Sequence, residues 1–452
     1  MTGPVGARQR PLRGVRVLEQ GQLLAVPYAG RLLADLGAEV IKVESPLRLD
    51  THRQTTYPNN TPGEHFWDRG GTYYSENRGK LGMTLDLRNP AAVQVFRDLT
   101  QVSDVVMENF TSRVMRGFGL DYDELVRQRP DLVMLSSTGY GHSGPWANYG
   151  AVGPTTEAAS GLAAVSGYRD GPPVLPDIPY TDYVAAEQAV LAVLLALYRR
   201  SRTGRGGWID LAQTETQSAL AGELIMDAYV NGADESPRGS RHPAMAPHGF
   251  FPCAGDDRWI AIAVASDAEW ESMRNAMDNP EWSNGDELRT LAGRKANEDV
   301  LEQRLAEWTR SQDAHALMAA LQAHRVAAGV ALDGRDLVCN EHLRARGFFT
   351  WLDHPIHAGI GPKPYPGVPW RFRGSGRAET RRAPALGEHN DLVLRQILGY
   401  SEVRIAELHA DGALDSQLSN FPKPQPVPLS VLLEQGRVRE VDPDYELRIG
   451  PG

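Results

Sequence analysis

The chain has 452 residues, of which 41% are hydrophobic and 23% charged. This is the balance of a soluble globular protein, and the length suggests two or three domains, or one large domain carrying an insertion. A net charge of −10 with no long basic run argues against general nucleic-acid binding. Two cysteines, Cys253 and Cys339, are too few for a disulfide framework or a zinc site and point to a reducing compartment. The basic N-terminus lacks the apolar segment of a secretory signal, and the longest apolar run, near 190–197, is too short to span a bilayer. A cytoplasmic protein with neither nucleic-acid nor membrane partners is expected.

Taken in order, residues 15–18 read as a short strand, 27–36 as a helix closed by Gly37, and 38–43 as a second strand. Strand, helix and strand at this spacing make a βαβ unit, which implies a parallel sheet. The loop after the first strand holds a single glycine, Gly21, so the G-x-G-x-x-G dinucleotide fingerprint is absent and a nicotinamide dehydrogenase is disfavoured. Residues 45–79 are long, polar and turn-rich. Their cations, among them Arg48, Arg53, Arg69 and Arg78, with Lys80 just beyond, suit a phosphate-holding surface at a strand end. Strands at 83–87, 105–107 and 132–136 alternate with helices at 90–100 and 120–129. This part of the chain is therefore α/β, with ligands expected outside the carboxyl ends of the strands, at loops 19–26, 45–53, 108–113 and 138–150.

Residues 171–198, GPPVLPDIPYTDYVAAEQAVLAVLLALY, pass from a proline-rich loop into a helix. Apart from Glu187 and Gln188 the helical part is apolar on every side of the 3.6-residue repeat, which predicts a helix buried all round. Asp182 stands at its mouth, where backbone N–H groups and the helix dipole favour a negative charge. Two roles fit a carboxylate there: an N-cap, or an anion held at the floor of a site. A short apolar helix is expected at 157–165 ahead of this stretch, and a strand at 208–211 and a helix at 213–230 beyond it. The irregular loop 232–252 then carries Arg241, His242 and His248. The two histidines have no cysteine or acidic neighbour in sequence, so no metal site is expected, because zinc needs three or four grouped ligands. A strand at 259–264, helices near 267–277, 296–310 and 313–324, and a strand at 328–331 read as a separate small α/β or α+β domain. A short helix at 340–347, a β-rich return at 348–372 and helices near 390–398 and 401–408 precede a proline-rich, polar end.

Several blocks together resemble the class III CoA-transferases, the formyl-CoA transferase and carnitine CoA-transferase family, whose superfamily also holds the α-methylacyl-CoA racemases. The blocks are RVLEQGQLLAVPYAGRLLADLGAEVIKVE (16–44), NRGKLGMTLDL (77–87), DVVMENF (104–110) and STGYGHSGP (137–145). They continue with IPYTDYVAAEQAVLAVLLAL (178–197), RTGRGGWIDLAQ (202–213) and APALGEHN (383–390). The resemblance implies a Rossmann-like large domain at 13–235, a small domain with linkers at 236–345, and a return segment to the large domain at 346–412. A flexible 1–12 and an extended tail, 413–452, flank them. It also implies a homodimer of two chains threaded as interlocked rings, no permanently bound cofactor, and an acyl-CoA donor and a carboxylic acid acceptor as substrates.

In the resemblance, Asp182 takes the position of the family's catalytic carboxylate. It would attack the donor thioester to give a mixed anhydride and then carry CoA as an aspartyl thioester. A carboxylate is a weak nucleophile unless desolvated, placed and kept ionised; a helix N-terminus favours the anion and offers N–H groups to a developing oxyanion. A closed, dry pocket would protect the anhydride from hydrolysis. Leu24 and Ala25 fall in the loop that lines the thioester end of CoA. Asn109 and Phe110 match the block that contacts the pantetheine arm. Lys80 matches a cation near the nucleotide end, and Arg48 or Arg53 would serve the phosphates, since arginine suits bidentate phosphate contacts. Glu157, where some members carry glutamine, is a candidate second acid/base or acceptor-positioning group. The segment RHPAMAPHG (241–249), with His242 and His248, stands where formyl-CoA transferase has a glycine-rich lid, and suggests other acceptor acids.

Three alternatives accompany this reading. A racemase would pair the aspartate with a histidine and a second aspartate near Val152 and Gly153, where neither residue is present, so two-base proton exchange lacks a partner. An isomerase that moves CoA within one molecule would use the transferase chemistry. A non-catalytic CoA-binding protein is the alternative from another class, and the presence of Asp182 counts against it.

Overall fold

In the computed structural model, which describes residues 10–233, 236–371, 373, 380–414 and 421–450, six strands form one sheet. They are β1 (Arg16–Gln20), β2 (Glu39–Glu44), β3 (Leu81–Thr84), β4 (Val105–Glu108), β5 (Val133–Thr138) and β6 (Gly207–Ala212). Neighbours are all parallel, in the order β3-β2-β1-β4-β5-β6. Strands covered on both faces read as near-continuous apolar runs, and β4 and β5 are buried along their whole length. The order reverses between β1 and β4, which makes the space beyond their carboxyl ends the natural ligand crevice of such a sheet.

The helices of the first half follow as α1 (Ala25–Asp35), α2 (Gly71–Asn77), α3 (Pro90–Gln101), α4 (Val114–Gly117), α5 (Tyr122–Leu125), α6 (Gly153–Ala159), α7 (Leu162–Val165), α8 (Tyr180–Thr203), α9 (Gln213–Ser218) and α10 (Gly222–Asn231). One core joins α1 and α8 through Val26, Leu33, Ala185, Ala189 and Val193. The other joins α3 to the returning chain through Val95, Phe96, Val393, Leu394, Ile405 and Leu408. The return also closes the sheet at β3, where His389 donates to Gly82 O at 2.9 Å and Thr84 N donates to Asn390 Oδ1 at 2.9 Å. Covering an edge strand removes a template for unwanted pairing.

Several expectations need correction. The helix 120–129 shrinks to α5, which Asp121 caps and which stops ahead of Pro130, whose ring disfavours helical backbone before it. The helix 157–165 is two helices, broken at Gly161 with φ +91°. The polar stretch 45–79 contains α2, and the loop 232–252 ends in a strand. The helix after Asp182 is not buried all round. Its alanine face, Ala185, Ala186 and Ala189, lets α1 approach closely, while Leu191, Leu195 and Tyr198 on other faces are exposed in the single chain. At 24 residues it is also long and apolar enough to cross a membrane by length and composition alone; in this fold its alanine face is core.

The chain forms two compact units. The first comprises the chain up to Ser160, Pro176–Gly222 and the chain from Val338 onward; the second comprises Gly161–Leu175 and Glu223–Leu337. The divisions at 223 and 338 thus differ from the expected 236 and 345. The excursion Gly161–Leu175 joins the second unit through an Arg169–Asp299 ion pair at 3.0 Å and a Gly239 N–H bond to Gly167 O at 3.1 Å. In that unit β7 (His248–Pro252), β8 (Trp259–Ala263) and β9 (Ala327–Val330) form an antiparallel sheet. Helices Asp267–Ala276, Glu298–Thr309 and Ala314–Ala323 bury Trp270, Leu301, Leu305 and Leu317 against it. In the first unit the return opens with the hairpin β10 (Phe349–Leu352) and β11 (Lys363–Pro366). Of the expected flexible start, residues 1–9 lie outside the described residues, while Leu12 is buried and donates to Leu36 O at 3.0 Å. In the tail, 415–420 and 451–452 lie outside the described residues, and Leu429–Glu434 and Tyr445–Ile449 are short helices.

Candidate active site

Asp182 is the third residue of α8; Pro179 occupies the cap position. Tyr183, next to it, meets Tyr28 of α1 edge-on at 4.8 Å between ring centres, which brings the mouth of α8 to the loop that follows β1. Burial pushes the Asp182 pKa up to about 6, against the pull of His52 and with the push of Glu76 and Glu157. Desolvation therefore outweighs the helix N-terminus. The anion still predominates at neutral pH, but it is held much less firmly than the helix-end argument implied. Gly153, the first residue of α6, lies against the carboxylate: a Cβ there would stand 2.7 Å from Asp182 Oδ2. Near the position where a racemase would need its second base, the chain has a residue that makes room for Asp182.

Glu157, also on α6, is buried, and its Oε1 accepts the backbone N–H of Thr181 at 3.2 Å. That N–H is one of the first-turn donors a helix cannot pair for itself. Thr181 donates its hydroxyl to Gln217 of α9. Glu157 thus ties the first turn of α8 to α6, which suits a positioning group.

The loop between β1 and α1 is braced from two sides. Gln22 N donates to Asn109 Oδ1 at 2.9 Å, and Asn109 Nδ2 donates to Gln22 O at 2.7 Å. Leu23 N donates to Asp50 Oδ1 at 3.2 Å, and Leu23 is held at φ +60°, a conformation that a branched residue adopts only under constraint. Leu24 and Ala25 are buried, leaving their backbone as the part that can line a ligand. Asn109 braces the loop across the reversal of strand order, while Phe110 is half-buried against the α3 core with its N–H on Glu108 at 2.8 Å.

The cations divide sharply. Arg53 is fully buried; it grips both oxygens of Glu44 at 2.8 Å and Asp68 at 3.0 Å, and donates further to Trp67 O and Pro384 O. No N–H remains for a phosphate, so its suggested phosphate role is corrected to an internal anchor. Lys80 is corrected likewise. Its ammonium donates to Pro27 O at 2.7 Å and Asn77 Oδ1 at 2.8 Å and pairs with Glu19 at 2.7 Å, and burial pushes its pKa down to about 8. Arg48 is exposed and, among the described residues, its side chain has no partner.

His242 and His248 belong to the second unit, where their ring centres lie 5.3 Å apart. His248 Nδ1 is 2.6 Å from Ser240 O, and His242 Nδ1 accepts from Ala244 N at 3.1 Å. His242 lines a cavity of about 590 Å³ with Glu223, Met226, Asp227, Arg238 and Pro243. Among the described residues no group of three or more His, Cys, Asp or Glu is arranged to hold a metal.

Sequence reasoning missed two features. His52 and Glu76 form a pair, Nδ1 to Oε2 at 2.6 Å; Glu76 was hidden in what reads as loop. Glu108 ends β4, buried, with its pKa pushed up to about 7 by burial, and His142 bridges between it, at 4.0 Å, and Asp210, at 3.2 Å.

A half-buried carboxylate in the first turn of a helix, close to the ligand crevice of a parallel sheet, can chemically serve as a nucleophile toward an acyl group. Comparison with known proteins makes this specific. A family model described as CoA-transferase family III matches residues 12–390. The chain is 32% identical over 403 residues to the succinyl-CoA–D-citramalate CoA-transferase of Chloroflexus aurantiacus, spanning 89% of this chain and 97% of that protein. It is 30% identical over 396 residues to the succinate–glutarate CoA-transferase of Agrobacterium fabrum, spanning 86% and 96%. A CAIB/BAIF family protein from Brucella suis superposes with a TM-score of 0.76 at 30% identity, over 86% of this chain and 99% of that one. The chain belongs to CoA-transferase family III, and it is a CoA-transferase enzyme acting on CoA thioesters.

Proposed function

We propose that this enzyme moves CoA from one small dicarboxylic acid to another through covalent intermediates on Asp182. An Asp182 oxygen attacks the donor thioester carbonyl; the C–S bond breaks, leaving a mixed anhydride and CoA thiolate. The thiolate attacks the Asp182 carbonyl, the anhydride C–O bond breaks, and the donor acid leaves as its carboxylate. The acceptor carboxylate attacks the aspartyl thioester and expels the thiolate, which then attacks the acceptor carbonyl and frees Asp182. One thioester replaces another, so no external energy source is needed.

The observation that carries this reading is the setting of Asp182: first turn of α8, seated against Gly153, with burial raising its pKa to about 6. A partly desolvated carboxylate that remains ionised at neutral pH is an activated nucleophile. Dicarboxylates are suggested by the relatives, whose names give succinyl-CoA with citramalate and succinate with glutarate. Arg48 is the cation we assign to the CoA phosphates. The strand order supports a Rossmann-like large domain. The open apolar face of α8, Leu191, Leu195 and Tyr198, supports a homodimer, which the family resemblance makes one of interlocked rings. The free cysteines support a cytoplasmic location.

Incubation with succinyl-CoA and hydroxylamine should leave a hydroxamate on Asp182, read by peptide mass spectrometry. Asp182→Ala should abolish both trapping and CoA exchange. Exchange that persists in the alanine variant refutes the reading; deuterium wash-in at the α-carbon without exchange would instead signal racemase chemistry.

A further inference from the structure

The family match ends at residue 390, and the far end of the chain folds back onto the first unit. Residues 421–428 are FPKPQPVP, with proline at every second position from Pro422 to Pro428. Proline lacks an N–H and has a fixed φ, so the run favours an extended backbone that offers its surroundings mainly carbonyls. The body of the unit supplies the donors. Asn60 donates its side-chain amide to Val427 O. Farther along, Arg344 donates to Arg448 O at 3.2 Å, and the Lys363 ammonium lies 6.0 Å from the centre of the Tyr445 ring. Ile449 and Gly450 line a cavity of about 260 Å³ with Phe349, Trp351 and Pro364 of the β10–β11 hairpin. Holding such a run in place costs little, because its prolines have already restricted the unfolded chain.

Phe421 leads this run. It is half-buried and packs on the cluster of Leu49, Tyr57, Phe66 and Leu386, beside Trp67. Leu49 links the cluster to the candidate site. It is only 4% exposed and stands between Arg48 and Asp50. Asp50 accepts the Leu23 N–H at 3.2 Å and so braces the loop between β1 and α1. Arg48 is exposed and is the cation assigned above to the CoA phosphates. Consecutive Cα atoms are fixed about 3.8 Å apart, so any shift of Leu49 is passed to both neighbours.

We propose that residues 421–428 form a strap that orders the acyl-CoA site, with Phe421 as its positioning residue. By closing the cluster around Leu49, Phe421 keeps Arg48 and Asp50 in the arrangement that receives CoA. The strap's role rests on Arg48 being the phosphate cation. Phe421 acts on the fraction of molecules whose segment is in place before CoA arrives. Losing that order weakens binding in proportion to the fraction lost, whereas the chemistry of the bound substrate is unaffected.

The test compares full-length wild type, Phe421→Ala, Phe421→Leu, Arg48→Ala and the double variant Arg48→Ala/Phe421→Ala. CoA exchange from succinyl-CoA gives kcat and KM, calorimetry gives Kd for CoA, and mass spectrometry follows backbone amide exchange. If Phe421→Ala leaves the segment in place about one-tenth of the time, KM and Kd both rise about tenfold with kcat within about twofold of wild type. Amide exchange at 47–60 should quicken in that variant and slow again when CoA is added. Phe421→Leu keeps an apolar side chain in the cluster and should recover most of the affinity. The double variant should lose less than the product of the single losses, since both changes act on one contact. Unchanged KM and Kd in Phe421→Ala, or a fall in kcat with KM intact, overturns the proposal. So do exchange quickened throughout the first unit, as a merely structural role would give, and losses that multiply in full. If Arg48→Ala binds CoA like wild type, the phosphate assignment fails and the strap's role falls with it; if Arg48→Ala weakens binding and Phe421→Ala does not, only the strap is refuted.

Discussion

Substituting alanine for Gly153 probes the site without altering any charge. Gly153 opens α6, and alanine suits a helix better than glycine by up to about 1 kcal/mol, so the fold has no reason to object locally. The added Cβ would lie 2.7 Å from Asp182 Oδ2, whereas ordinary contact begins at 3.4 Å; the carboxylate must therefore withdraw by about 0.7 Å, the difference between those distances. It can do so because it is the free end of a side chain. Pro179 Cβ, at 3.0 Å, has to give by only a few tenths of an ångström.

Misplacing a reacting atom by roughly 1 Å costs about 10²-fold in rate, equivalent to about 2.7 kcal/mol of barrier. The expected outcome for Gly153→Ala is thus a kcat for CoA exchange about 10²-fold below wild type, with KM for the acyl-CoA within about twofold, since the substrate-holding loops are untouched. Steady-state exchange between succinyl-CoA and a labelled dicarboxylate gives both constants, and thermal unfolding checks the fold. Wild-type kcat in a well-folded Gly153→Ala protein would refute the packing of this glycine on Asp182 as the proposed nucleophile.

Glu157→Ala leaves the buried Thr181 N–H unpaired and should lose about 1–3 kcal/mol in urea unfolding. Glu157→Gln keeps an acceptor and should stay near wild type in stability, while the acid limb of its kcat/KM pH profile for CoA exchange moves down in pH because one charge opposing Asp182 is gone. Arg53→Met strands Glu44 and Asp68 without their partner and should cost about 3–5 kcal/mol; Arg48→Ala should leave the unfolding midpoint alone and raise KM for acyl-CoA. Glu108 has a folded pKa of about 7 against an ordinary 4.5, so its contribution to stability is full below 4.5 and is lost as pH rises through 7. Glu108→Gln removes that loss and should be more stable than wild type at pH 8 by on the order of 2–3 kcal/mol, with little difference at pH 4.5, again by urea unfolding. Equal stability at both pH values would contradict the assigned burial of its charge.

The alternation of strand and helix was legible because each element is local: β1, α1 and β2 are apolar runs punctuated by Gly21 and Gly37. Strand order was not, since it depends on which distant strands pair. The helix α2 was hidden because its support is tertiary. Tyr73 donates to Glu44, 29 residues before it, at 2.8 Å, a contact that no short window of sequence contains. The cations show the same limit. Arg48 and Arg53 are one residue type five positions apart, yet one is exposed and the other encased by two carboxylates. Asp182 was singled out by its place before an apolar helix and by its family block, but the direction of its pKa shift depends on burial and on the charges of His52, Glu76 and Glu157, none of which its sequence neighbourhood reveals.

That shift has a chemical consequence within the proposed reaction. In the mixed anhydride the thiolate chooses between two carbonyls, and the better leaving group is the carboxylate of the stronger acid. Asp182, with a pKa of about 6, is a weaker acid than an ordinary carboxyl at about 4. Attack at the Asp182 carbonyl, which expels the substrate acid, is therefore favoured over attack at the substrate carbonyl, which only reverses the first step. The elevated pKa also strengthens Asp182 as a nucleophile toward the thioester, following the Brønsted relation. Too large an elevation would leave the group protonated at neutral pH. A carboxylate set near 6, between the push of Glu76 and Glu157 and the pull of His52, keeps most of both advantages.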